Sequence, residues 1–67
     1  MNLSENESNA KKMNTSGNIN DKSGKYEAAI ADYTKAIELD GTQADYYKNR
    51  AITYHHMNDY KAAIADY

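Results

Sequence analysis

From Tyr26 to Leu39 the apolar side chains fall at Tyr26, Ala29, Ile30, Tyr33, Ala36 and Ile37, a spacing of three and four that sets them along one face of an α-helix. The stripe ends at Asp40-Gly41, where a glycine in the left-handed conformation is expected to close the helix. Thr42 followed by Asp45 has the spacing of a capping box, so a second helix is expected to start there. Its apolar face is read as Tyr47, Ala51, Tyr54 and Met57, with Asn58-Asp59 as a turn able to hold positive φ. A further helix is expected from about Asp59, with Tyr60, Ala63, Ile64 and Tyr67 on its stripe. Of the tyrosines, only Tyr46 falls off these stripes, which leaves it as a surface contact.

The chain before Tyr26 is of another character. Residues 1–9 are polar around a single leucine, Leu3, and are expected to be disordered because they bury too little apolar area to offset chain entropy. From Ala10 to Ser23 the run holds Asn14, Thr15, Ser16, Gly17, Asn18, Asn20 and Asp21, all poor interior helix formers. A helix there is expected to form only when packed.

The chain also repeats itself. Tyr26-Glu27-Ala28-Ala29-Ile30-Ala31-Asp32-Tyr33 recurs as Tyr60-Lys61-Ala62-Ala63-Ile64-Ala65-Asp66-Tyr67, identical at seven of eight positions at an offset of 34. A period of about 34 residues with paired helices resembles the tetratricopeptide repeat. With a second repeat starting at Ala44, Tyr47 stands on the family's Trp position, Ala51 on its Gly, Tyr54 on its Tyr, Ala63 on its small residue and Tyr67 on its Phe. Arg50 stands where Leu is usual, its stem able to lie along apolar surface. Carried back, the register starts the first repeat at Ala10, with Met13, Gly17, Ala29, Tyr33 and Ala36 on landmarks and Gly24 at the turn between helices. Gly41 replaces the usual proline between repeats.

The resemblance implies an all-α fold of antiparallel helix-turn-helix repeats: a polar segment 1–9, a first repeat 10–43 with a degenerate first helix, and a second repeat 44–67 whose second helix is incomplete. It further implies a non-catalytic protein-binding module whose ligand lies on a concave groove lined by the first helix of each repeat. The groove positions in this chain are Asp45, Lys48, Asn49, Ile52, His55 and His56, with Lys11, Asn14, Asn18, Asp21 and Lys22 on the preceding helix. Lys48 and Asn49 suit a carboxylate or a backbone amide, and Ile52 an apolar contact. Some members of the family clamp the C-terminal carboxylate of chaperones. Asn18 and Asn49 fall on two of those clamp positions, but Asn14 stands where the first clamp lysine is needed.

Size and composition narrow the rest. A chain of 67 residues buries only about 60% of the surface exposed by its unfolded form, and repeats of this kind normally need about three copies to be stable. The chain is therefore expected to belong to a longer array, or to self-associate through Tyr60, Ile64 and Tyr67. No cysteine is present to staple a small core. A net charge of -2 and a pI near 5.5 argue against a nucleic-acid partner, which calls for clustered cations. Apolar runs reach four residues at most, as in Ala28–Ala31, far short of the roughly 20 that span a bilayer.

A cytoplasmic setting is expected, and the acceptor patterns at Asn2, Asn6 and Asn14 are read as accidents of an Asn/Ser-rich stretch. His55 and His56 are neighbours, so their side chains point about 100° apart on a helix and do not chelate one ion together. No metal or other cofactor is expected. No nucleophile with a base, phosphate loop or carboxylate pair in a catalytic motif supports an enzyme.

Overall fold

The apolar stripe of Tyr26–Leu39 does form a helix, and it is the one on which the others pack. The structure, a computed structural model, describes the backbone of residues 3–65 and the side chains of residues 4–58. Its described residues form α1 (Leu3–Lys22), α2 (Tyr26–Leu39) and α3 (Ala44–Ala65). On α2 the face read from the sequence turns inward: Ala29, Tyr33 and Ala36 are buried, and Tyr26, Ile30 and Ile37 are half-buried beside them.

α1 begins at Leu3, so the segment expected to be disordered is helical over residues 3–9. Its anchor lies just beyond: Ala10 is fully buried against Ala36 of α2 and Tyr46 of α3, with Met13, Ile37 and Leu39 around them. Glu5 in the first turn suits the positive end of the helix dipole. The run from Ala10 to Lys22 is helical too, and polar groups hold it. Ser16 Oγ and Asn20 Nδ2 donate to Asp32 Oδ2 of α2 at 2.7 and 2.8 Å, and Thr15 Oγ1 turns back to the Lys11 carbonyl at 3.0 Å.

α1 and α2 run antiparallel, since Ala10 meets Ala36 while Asn20 meets Asp32. Gly24 makes the reversal at φ +79. Its N–H bonds the Asp21 carbonyl at 3.1 Å, and the Lys25 N–H bonds the Asn20 carbonyl at 2.8 Å, the paired bonds of a Schellman cap. Midway along the hairpin Tyr33 lies against Gly17, where a Cβ would stand 2.5 Å from Tyr33 Cε1. The Tyr33 hydroxyl donates to Asn18 Oδ1 at 2.6 Å.

The second connection differs from the sequence reading. Gly41 does not take positive φ; α2 closes on Asp40 at φ -152 and ψ 87. Gly41 is needed for space, because a Cβ there would meet the Ile37 carbonyl oxygen at 3.2 Å and Tyr47 Oη at 3.3 Å. The expected capping box is replaced by a turn around Asp40. Thr42 Oγ1 donates to Asp40 Oδ1 at 2.6 Å, and Gln43 Nε2 reaches Asp40 Oδ2 at 3.5 Å. The hydroxyl of Thr42, together with its backbone N–H and Gln43, holds the Asp40 carboxyl below its ordinary range against a weaker opposing effect of burial.

α3 departs further from expectation. It continues through Asn58-Asp59 without a turn, so the two helices read from the sequence are one. Its inward face holds buried Tyr46 and Thr53 with half-buried Asn49, Arg50 and Met57. Tyr47, Ala51 and Tyr54, read as the packing stripe, are exposed, and Tyr46, read as a surface residue, is 4% exposed. The inward face is displaced by about one residue, or 100°, because α2 approaches α3 on the side of Arg50, whose Nη1 donates to Thr34 Oγ1 at 3.2 Å. The Arg50 guanidinium also lies 5.9 Å from the Tyr47 ring centre.

Two outcomes follow for stability. Gly17→Ala gains about 1 kcal/mol of helix propensity but drives Tyr33 from its seat at about 1–3 kcal/mol and strains a hydrogen bond worth about 1 kcal/mol. A net loss of about 1–2 kcal/mol in urea unfolding is expected, and a gain would show that the ring moves freely. Burial first, then the Asp21 and Asp32 charges, push the Tyr33 hydroxyl above its ordinary pKa, opposed by the neighbouring Thr53 hydroxyl. The folded chain therefore holds this proton more tightly than the unfolded one. Stability from Tyr33 is full below about pH 10 and falls as pH rises through the raised folded value, which an alkaline unfolding series compared with Tyr33→Phe resolves.

Candidate functional site

α1 and α3 lie side by side and parallel, and polar side chains fix their spacing. Asn49 Nδ2 donates to Asn14 Oδ1 at 2.9 Å. Further along, Thr53 Oγ1 donates to Asp21 Oδ1 at 3.0 Å, and His56 Nδ1 lies 3.1 Å from the same oxygen. A hydrogen bond there requires a proton on Nδ1. The His56 ring is also 5.9 Å from the Tyr26 ring of α2, tilted by 48°. Thr53 is fully buried, so its bond to Asp21 is the most water-excluded of these links.

With about 100° between successive residues, α3 presents two outward strips on either side of its inward face. One borders α1 and carries Asp45, Asn49, Ile52 and His56, with Lys48 and His55 further round. The other faces the opposite way and carries Tyr47, Ala51 and Tyr54. Of the six groove residues read from the sequence, Asn49 and His56 contact α1, Asp45 and Ile52 lie beside them on the helix, and Lys48 and His55 turn further toward solvent; all but the half-buried Asn49 are exposed. Ile52 is 41% exposed, a large apolar side chain in a polar setting.

On α1, Lys11 and Lys22 are exposed, while Asn14 and Asp21 are engaged with α3. Asn18 has its carbonyl oxygen bonded to Tyr33 of the hairpin, and so serves packing. Thr53 was missed by sequence reading. The available signal was its polar side chain within the three-and-four spacing set by Tyr46, Asn49, Arg50 and Met57.

The proposed self-association residues Tyr60, Ile64 and Tyr67 have side chains outside the described residues. Among the described residues no three His, Cys, Asp or Glu side chains converge on a point that would hold a metal ion. No described helix is long and apolar enough to cross a membrane.

Comparison with known proteins bears on the family of the chain. A family model described as a TPR repeat matches residues 17–58, more than half of the chain. The small glutamine-rich tetratricopeptide repeat-containing protein of Dictyostelium discoideum is 39% identical over 57 residues, covering 85% of this chain and 17% of its own length. The DnaJ homolog subfamily C member 7 homolog of Schizosaccharomyces pombe is 42% identical over 59 residues, 85% of this chain and 12% of its own. The Hsp70-Hsp90 organizing protein of Triticum aestivum is 42% identical over 57 residues, 85% of this chain and 10% of its own. The chain therefore spans less than a fifth of the length of these curated relatives. No solved structure matches it.

The α1–α3 link can be measured. Asp21→Ala leaves the buried Thr53 hydroxyl without its acceptor and is expected to cost about 1–3 kcal/mol. Asp21→Asn keeps a carbonyl oxygen and should cost less than half as much. Urea unfolding of both variants checks this, and an unchanged midpoint for Asp21→Ala would show that the link contributes nothing.

Proposed function

The chain belongs to the tetratricopeptide-repeat family, and from that premise we propose that it captures a segment of another protein along the groove between α1 and α3. Members and relatives of this kind act as protein–protein interaction modules. The observation that carries the reading is the pairing of Asn14 with Asn49 and of Asp21 with Thr53 and His56. These bonds fix two parallel helices at a set spacing, and the exposed Lys48, Ile52 and Asp45 flank the seam. A groove held before the ligand arrives loses less ordering entropy on binding.

The chemistry suits a peptide. Lys48 offers a cation with three donors, positioned for a carboxylate or a main-chain carbonyl. Ile52 offers apolar area for a side chain, and Lys11 and Lys22 add positive charge along the α1 side. Asn49 donates one N–H to Asn14 and by count retains a second. One relative is named for organising Hsp70 and Hsp90, which is consistent with a protein ligand. The narrower reading, capture of a chaperone C-terminus, has less support. Asn18 is bonded to Tyr33, Asn49 is bonded to Asn14, and Asn14 occupies the place of the first clamp lysine. The module is read as a binder and not as a catalyst.

The test starts from random peptides displayed on phage and selected on the full chain, with affinities then measured by fluorescence anisotropy. Lys48→Ala and Ile52→Ser are each expected to weaken binding about fivefold to tenfold, the loss of one good contact. Glu38→Gln, on the exposed face of α2, should leave it unchanged. Selected peptides that bind the Lys48→Ala, Ile52→Ser double variant as tightly as the natural chain would sink the groove reading.

A further inference from the structure

The Asp21 carboxylate does more than join α1 to α3, because it also orients an imidazole. Thr53 Oγ1 donates to Asp21 Oδ1 at 3.0 Å, and His56 Nδ1 lies 3.1 Å from the same oxygen. Thr53 is fully buried, and the Asp21 side chain is 17% exposed against 43% for His56. The carboxylate is therefore mostly covered, while part of the ring is open to solvent. On α2 the Tyr26 ring lies 5.9 Å from the His56 ring, tilted by 48°. The imidazole of α3 is thus held by a carboxylate from one neighbouring helix and an aromatic ring from the other.

A carboxylate only accepts, so its hydrogen bond places a proton on Nδ1. In the neutral ring the second nitrogen, Nε2, is then a bare acceptor. The two nitrogens stand on different edges of the ring, so Nε2 turns away from Asp21. Among the described residues none donates to it. Nor is this a face that a further repeat would cover. At the repeat offset of 34 the equivalent of His56 is Lys22, which stays exposed with α3 packed alongside α1.

We propose that His56 Nε2 accepts a main-chain N–H from the segment bound along the α1–α3 groove, so that the ligand residue at this point is not proline. The proposal rests on the groove reading above and names one of its polar contacts. Charge selects the kind of donor. Lys22 follows Asp21 directly and counters its carboxylate, so the site holds no excess negative charge to draw in a cation. A neutral donor remains, and the main-chain amide is the one that an extended segment presents at every residue but proline. Because Asp21, Thr53 and Tyr26 already hold the ring, little ordering entropy is lost when the bond forms.

Nitrogen NMR of the full chain at about pH 8, above the ordinary histidine range, is the first test, with a His55→Gln variant to assign the signals. His56 is expected to carry its proton on Nδ1 and none on Nε2. In Asp21→Ala the proton should redistribute between the two nitrogens. A proton on Nε2 of the natural chain, alone or beside one on Nδ1, overturns the proposal whether or not a peptide is found.

The second test takes peptides selected on the full chain and methylates their main-chain nitrogens one at a time. One position is expected to lose about fivefold to tenfold in affinity. That loss should vanish on His56→Asn, whose amide can still donate to Asp21 but places nothing where Nε2 stood. Peptides that need Lys48 and Ile52 yet bind His56→Asn as tightly as the natural chain would overturn this inference and leave the groove reading standing. A contact to His56 that disappears on alanine substitution of a ligand side chain, and not on methylation, would also overturn it. Failure to select any peptide removes both readings. Should His56→Asn fail to fold, the nitrogen spectrum and the methylation series on the natural chain still decide.

Discussion

Tyr33 reaches α1 only because residue 17 has no Cβ, and much of the remaining architecture is arranged around that approach. Its ring lies against Gly17 and its hydroxyl donates to Asn18. On the other side the buried Thr53 hydroxyl of α3 lies near enough to affect its pKa, and that hydroxyl donates to Asp21 of α1. One phenol therefore touches all three helices. Buried polar groups are tolerable when each finds a partner, and every buried side-chain nitrogen and oxygen among the described residues has one. The small apolar core around Ala10, Ala36 and Tyr46 supplies burial at one end, and the Tyr33 cluster fixes register in the middle.

How much of this could be read from sequence varied with the number of neighbours each helix has. On α2 the three-and-four stripe named Ala29, Tyr33 and Ala36 correctly, since a helix between two others shows its apolar face in its own periodicity. α1 was obscured because part of its contact with α2 is made by hydrogen bonds from Ser16 and Asn20 to Asp32, and propensity scales count such residues as poor formers wherever they stand. Periodicity on α3 showed that a stripe exists but could not say which of two adjacent stripes has a helix to pack on. Tyr46 and Thr53 are covered and Tyr47 and Tyr54 are not, a distinction set by the approach of α2 and not by hydrophobicity.

The same tertiary control separates the two glycine turns. Gly24 and Gly41 both follow a helix, yet only Gly24 takes positive φ. At the second turn the Asp40 carboxylate organises Thr42 and Gln43, so the reversal needs no left-handed residue. Gly41 is kept small instead by Tyr47, whose hydroxyl donates to its carbonyl at 3.2 Å. The positions proposed for the groove can be named from sequence because a repeat carries its positions with it. Their mutual bonds cannot, since Asn14–Asn49 and Asp21–His56 depend on how two helices distant in sequence are spaced.

Comparison of the two repeats at the offset of 34 shows what neighbours alone can do. Lys12, Ile19 and Ser23 of α1 are exposed, while their equivalents Tyr46, Thr53 and Met57 on α3 are buried or half-buried. The positions are the same in the repeat, so their environments differ because α1 and α2 cover one set and nothing described covers the other. Residue choice follows the environment: apart from Ile19, the outer face of α1 is polar at these positions, whereas the strip of α3 turned away from α1 bears Tyr47 and Tyr54. The seam between α1 and α3 is held by polar pairs already engaged with each other, so in the groove reading proposed above the side chains beside the seam, Lys48 and Ile52 foremost among them, are the ones left to meet a ligand.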